Sequence, residues 1–431
     1  MKSVWQNIIL QHQQNNLFWS FTLLLATVPL SLGINNIILA ITGLIFIFQL
    51  KNQKLHLTFT LVLPMLMFVL MLLSSLWSID SEKTISALPR VLALLVIPLF
   101  FIGMKKFTVF QKQVLYKHYS FIVFLLVIYW LIRAFVRFVL TVDTNVFFYH
   151  ELVTEDLNAI HVSIYVSVAY FYYLKQVNKT VFQWVATFLL LSFIILLSSK
   201  NILAIVFLLT IFYLFNKKII LSIRQKVLFS VASIALLVFL SGKIIDRYLT
   251  ELNANTSGTS QIIEQNKQLG IRVLTVKEAW TNEKFTPNDY FSGTAFRVYQ
   301  IRLFIEFLKE ESIFWKGFGY NASFKKLEEK AIKYDVYRGG DKQKGYQEKN
   351  FHNQYIQNFV ELGVFGFIIL ILMLGINLKN GISNKDFLHI TFAVLMISLF
   401  LTESFLWRQR GVVFFSFLYC LFNSNYSSYH K

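Results

Sequence analysis

A histidine and two amides, His352-Asn353-Gln354, stand directly before an apolar run from Phe359 to Leu374. An imidazole titrates near neutrality, so His352 can take a proton from an acceptor hydroxyl as a general base. Cations sit in comparable polar segments between apolar runs. Lys200 lies in Ser198-Ser199-Lys200-Asn201, Arg408 and Arg410 lie within Glu403–Gly411, and Arg297 lies in Thr-Ala-Phe-Arg-Val-Tyr. Arg grips phosphate oxygens bidentately and Lys as a point charge, so the set could clamp a diphosphate. Each cation alone reads as well as a loop charge that snorkels to headgroups. Arg133 and Arg137 fall inside an apolar run, one helical turn apart. Burying an Arg in a bilayer costs roughly 2.5–3.5 kcal/mol on insertion scales. Arg133 is therefore a candidate for a substrate cavity, whereas Arg137 is near enough to the run's end to snorkel. His161, in Asn158-Ala-Ile-His-Val-Ser-Ile-Tyr, opens another run, as a substrate contact or as an interfacial histidine without a role. No two histidines have metal-ligand spacing, and neither a Gly-rich phosphate loop nor a Ser-centred elbow is present.

The elements that must hold these residues are membrane helices. Of 431 residues 56% are hydrophobic and only 15% charged, with 45 Phe. Soluble domains carry roughly 25% charged residues, so lipid is the main solvent here. Continuous rather than alternating apolar runs exclude a barrel and specify an all-α polytopic protein. Twelve spans are expected, near 17–32, 34–50, 57–77, 88–104, 119–140, 160–174, 181–198, 201–216, 226–241, 354–375, 387–402 and 411–423. The first is expected to remain uncleaved. Lys and Arg concentrate in one set of loops, Lys51 to Lys54, Lys105 to Lys117, Lys175 to Lys179 and Lys217 to Lys226 among them. By the positive-inside rule those loops and both termini are cytoplasmic. The net charge of +18 is thus explained by topology rather than by nucleic acid. Cys420 is alone, so an internal disulfide is impossible.

Three regions follow: membrane helices in 1–241, a long outer loop in 242–353, and membrane helices in 354–431. Loops of this length are usually functional. Within it Leu269–Lys284 and Gly293–Glu311 read as amphipathic helices resting on the membrane domain or at the interface. In the second, Val298, Ile301, Phe304, Ile305 and Leu308 share one face. Asn253–Ser260 reads as a linker and Lys325–Lys349, broken at Gly339-Gly340, as a mobile flap. Closure is expected to bring Arg297 towards His352.

The order of these features resembles the O-antigen ligase and O-antigen polymerase superfamily of bacterial envelope enzymes. The family pattern is a loop Arg, a Gly-x-Gly turn, a His-Asn at the start of a membrane helix and a Glu-x-Gly beyond it. Here these are Arg297, Gly317-Phe318-Gly319, His352-Asn353 and Glu361-Leu362-Gly363, followed by a closing outer segment from Thr402-Glu403 to Arg410-Gly411. The resemblance covers mainly residues 190–420. Ser199-Lys200 stands where the family usually has Ser-Arg, which keeps the charge but loses bidentate binding.

The resemblance implies a metal-independent, cofactor-free, inverting glycosyltransferase of the bacterial inner membrane. Its donor would be an undecaprenyl-diphosphate-linked glycan, and its acceptor lipid A core or another glycan. His352 would be the base and Arg297 the main support of the leaving diphosphate. Lys200, Arg410, Arg408, Arg133, Glu403 and His161 would contact substrate. Ligase and polymerase share this chemistry, with ligase preferred. A flippase or transporter of lipid-linked glycans is the third reading, weakened by the lack of internal repeats.

Overall fold

The computed structural model describes residues 15–50, 55–154, 156–215, 272–340 and 343–424. The expected span 226–241 and the linker Asn253–Ser260 lie outside them. The apolar runs are helical, since a helix satisfies its own backbone hydrogen bonds in lipid. Before the long loop come α1 (Phe18–Thr27), α2 (Leu32–Gln49), α3 (Phe59–Leu73), α4 (Ser81–Val91), α5 (Ala93–Gly103), α6 (Val109–Thr141), α7 (Ala159–Leu174), α8 (Val181–Leu196) and α9 (Lys200–Phe215). After it come α13 (Gln354–Ser383), α14 (Phe387–Leu399) and α15 (Gln409–Asn423). Among the described residues, five stretches are long and apolar enough to cross a membrane: Leu32–Gln49, Phe59–Leu76, Ser81–Gly103, Val109–Thr141 and Gln354–Ser383. Shorter apolar helices, α1, α7, α8, α9 and α14, pack among them. Buried aromatic residues such as Phe21, Phe101 and Phe417 interlock α1, α5 and α15.

The loop builds a second apolar core. Strand β1 (Arg272–Leu274) pairs in parallel with β2 (Asp289–Phe291), Arg272 facing Asp289, and α10 (Val276–Thr281) connects them. This corrects the expected helix over Leu269–Lys284 in its described part, from Arg272 onward. Thr275 accepts from the Glu278 N–H in a capping box, and that cap starts the helix only at Val276. Next come α11 (Gly293–Glu310), α12 (Ser323–Tyr334) and a hairpin of β3 (Gly339–Gly340) and β4 (Gln343–Lys344). The segment read as a flap therefore carries most of a helix and a hairpin. Lys330 on α12 grips Glu306 at 2.6 Å and Glu310 at 2.8 Å on α11, while the Tyr334 hydroxyl donates to Glu306 at 2.7 Å.

Helix α11 is apolar on two faces. The buried one carries Phe296, Tyr299, Leu303 and Phe307. The face expected from sequence, Val298, Ile301, Phe304, Ile305 and Leu308, is only half-buried or exposed. The aromatic face wins the core because each large ring removes more apolar area from water.

Candidate active site

His352 ends the loop one residue before α13 is capped by Asn353, whose side chain accepts from the Ile356 N–H at 3.1 Å. Its backbone is left-handed, with φ +46°, a conformation that costs energy in a non-glycine residue. The neighbours hold it there. The His352 N–H donates to Asn350 Oδ1 at 3.0 Å, and the Asn353 N–H donates to Ser404 Oγ at 3.3 Å. The preceding Phe351 N–H donates to Gln357 Oε1 at 3.1 Å. Gln357 in turn donates to the buried Glu361 at 2.5 Å, one helical turn further on.

That buried carboxylate marks where the loop domain docks on α13. The helix is broken at Gly363, with φ +65° and ψ −162°, a region open in practice only to glycine. The break frees carbonyls that the Gly317-Phe318-Gly319 turn uses. The Phe318 N–H donates to the Val360 carbonyl and the Gly319 N–H to the Glu361 carbonyl, both at 2.9 Å, and the Val364 N–H donates to the Phe314 carbonyl at 2.8 Å. A Cβ at Gly317 or Gly363 would run into backbone across this contact. The two glycine motifs are thus halves of one joint.

On the other wall Arg297, at the start of α11, reaches the loop between α14 and α15. Its Nε and Nη2 donate to the Thr402 carbonyl at 3.2 and 3.1 Å, and Nη1 donates to the Gly293 carbonyl at 3.0 Å. Nη2 also meets Glu403 Oε1 at 3.4 Å. The other oxygen of Glu403 lies 3.5 Å from His352 Nδ1, an ion-pair distance that is not aligned as a hydrogen bond. Burial pushes the Glu403 carboxyl up, yet the His352 imidazole, then Arg297 and His161, outweigh it and hold the group below its usual range. Glu403, only 7% exposed at its side chain, bridges the two residues singled out for chemistry.

These groups open onto one cavity of about 830 Å³. Lys200, Arg297, His352, Glu403 and Asn158 all line it. Asn201 ties the Lys200 end to the rest by donating to Thr402 Oγ1 at 2.9 Å. Sequence reasoning did not single out Lys349, Tyr346, Tyr290 or Tyr149, which also line the cavity. The spacing of Tyr346, Lys349 and His352 at three-residue intervals was the available signal.

The remaining candidates lie elsewhere. Arg410 pairs with Asp156 at 2.6 Å and donates to the Leu30 carbonyl at 2.8 Å. Arg133 donates to the Val153 carbonyl at 3.1 Å, and Arg137 pairs with Glu151 at 2.6 Å, so both secure the segment between α6 and α7. Arg408 is exposed outside the cavity lining. His161 is buried against Phe405, ring centroids 4.5 Å apart, behind the cavity wall.

Residues 185–371 match the family described as O-antigen ligase. The matched stretch contains Lys200, Arg297 and His352 and ends before Glu403. No curated protein matches the chain.

Proposed function

Through residues 185–371 the chain belongs to the O-antigen ligase superfamily, and from that premise we propose that it transfers a glycan from a polyprenyl diphosphate to an acceptor hydroxyl. The observation that carries this reading is the single cavity gathering Lys200, Arg297, His352 and Glu403 from segments far apart in the chain. Integral-membrane glycosyl transfer of ligase or polymerase type is the family's chemistry. The finer assignment is an undecaprenyl-linked donor and lipid A core as acceptor, met on the outer face of the bacterial inner membrane.

The acceptor hydroxyl attacks the anomeric carbon while its proton passes to the His352 imidazole, at the nitrogen opposite Glu403. The bond from that carbon to the diphosphate oxygen breaks, and the electron pair leaves with the diphosphate, inverting the centre. Glu403 orients the imidazole and stabilises it once protonated, as a carboxylate does for a catalytic histidine. Lys200 and Arg297 supply positive charge where the leaving group gains negative charge. The contacts of Arg297 to Thr402, Gly293 and Glu403 leave one Nη1 N–H for a phosphate oxygen. Its contribution is therefore mostly its charge and that single donor, beside the charge of Lys200.

The test is transfer by His352→Ala and Arg297→Ala in a deletion strain, at matched protein levels. Loss of transfer by about 100-fold or more is expected for His352→Ala. Undiminished transfer would remove the general base and with it this mechanism. Lipopolysaccharide from the deletion strain separates the two acceptors: a ligase leaves bare core with accumulated lipid-linked polymer, whereas a polymerase leaves core capped by one repeat.

A further inference from the structure

Contacts along the cavity wall give it an order. Lys200 and Asn201 adjoin Thr402, Thr402 holds Arg297, and Glu403 joins Arg297 to His352. His352 meets the Phe296 ring edge-on at 5.7 Å. The Lys349 ammonium stands over that same ring at 5.4 Å and over Tyr346 at 4.7 Å. Lys200 and Lys349 are thus the two ends of a path with His352 between them. If the diphosphate leaves toward Lys200 and Arg297, the attacking hydroxyl comes to His352 from the Lys349 side.

The charges at that end are unbalanced. Glu403 is the one carboxylate among the described lining residues, and Arg297 and His352 already share it. Among the described residues no carboxylate or carbonyl pairs with Lys349, whose ammonium has only the faces of two rings. Tyr346 is fixed in place, since its hydroxyl accepts from the Phe291 N–H at 3.0 Å. Tyr290, also in the lining, is half open to solvent. Aromatic faces take the C–H faces of sugar rings, and a lysine beside them takes an anionic substituent.

We propose that the Lys349 end of the cavity is an acceptor subsite for a negatively charged sugar, with Lys349 pairing its anionic group, Tyr290 packing on the ring and the buried Tyr346 holding Lys349 in place. This rests on the glycosyl-transfer reading for its direction, donor at Lys200 and acceptor at Lys349. The subsite itself is an anion-binding prediction that needs no turnover. A carboxylate on a uronic acid and a phosphate ester would offer the same charge, and we assign the subsite to a sugar-borne carboxylate.

The experiment is equilibrium binding to the full chain purified in detergent, with tetragalacturonate, maltotetraose and inorganic phosphate as probes. Tetragalacturonate is expected to bind about tenfold more tightly than maltotetraose, as one charge-assisted contact provides. Lys349→Gln should abolish that preference, Lys349→Arg should retain it, and Lys200→Ala should leave it intact while weakening phosphate. Melting curves of each variant confirm that the fold persists. Equal binding of the two oligosaccharides, binding of neither, a preference that survives Lys349→Gln, or a preference lost only in Lys200→Ala would each overturn the proposal. So would displacement of tetragalacturonate from the Lys349 end by equimolar phosphate. A transfer-active His352→Ala would sink the mechanism and leave this binding result standing, so the two failures are separable.

Discussion

Gln357 is the hinge between the docking joint and the candidate base, and exchanging it with its partner tests that role directly. Gln357→Leu keeps the volume but removes the bond to Glu361 at 2.5 Å and the acceptor of the Phe351 N–H at 3.1 Å. Ser404 Oγ, which donates to the same oxygen at 3.4 Å, loses a weaker contact. Glu361 retains Ser323 as a donor at 3.2 Å. A buried polar group left without a partner costs roughly 1–3 kcal/mol, and here that group is the Phe351 N–H. The melting temperature in detergent should fall clearly. Transfer should fall further than stability explains, since a base displaced by an ångström can cost about 100-fold in rate.

The double exchange Gln357→Glu with Glu361→Gln reverses the pair while keeping the bond between positions 357 and 361. A carboxylate at 357 still accepts from Phe351 and Ser404, and an amide at 361 donates back to it. Gln357→Glu alone sets two carboxylates facing each other, whereas Glu361→Gln alone still accepts from Gln357 through its amide oxygen. The double variant should therefore recover most of the melting temperature and transfer lost by Gln357→Glu alone. If it is no better than Gln357→Glu, or if Gln357→Leu melts and transfers like the native chain, the Glu361–Gln357–Phe351 relay does not position His352.

Glu403→Gln keeps the shape but removes the charge between Arg297 and His352; a charge-assisted contact of roughly 1.5–3 kcal/mol predicts transfer slowed by about 10- to 150-fold at unchanged expression. Arg410→Ala, which breaks the pair with Asp156 away from the cavity, should reduce transfer far less than Arg297→Ala in the same assay. Gly363→Ala drives a Cβ into the Trp315 backbone in a glycine-only conformation and should lower expression and melting temperature without a conservative rescue. Burial raises the Glu306 carboxyl, but bonds from Lys330, Tyr334 and Arg302 prevail and lower it. Its contribution is therefore present above about pH 4.3 and lost as pH falls through the lower folded value. Glu306→Gln should flatten that acidic limb in melting curves taken across pH.

What the sequence makes legible here is whatever is local. Apolar runs marked most helices within a few residues, because a span must be long and continuous to cross a bilayer. His352 could be singled out by its type and its place at the edge of an apolar run, and Arg297 by its type and its place near the start of an amphipathic helix. Their meeting could not be derived from local pattern, because it depends on Glu403, which reaches both from beyond α14. The two glycine motifs were visible as well, but as separate turns. Their backbone-to-backbone contact is a property of the break at Gly363. Arg133 shows the limit from the other side. The cost of an intramembrane guanidinium pointed to a cavity, yet carbonyls of the next segment, Val153 and Glu151, satisfy it. Energetic need identifies a buried charge that must find a partner; which partner it finds is decided by packing between distant segments. Helix α11 makes the same point for apolar groups. Helical spacing marks the stripe of Val298, Ile301, Phe304, Ile305 and Leu308, but the contacts of Phe296 and Tyr299 with Phe291 turn the other stripe inward and so aim Arg297 at Thr402.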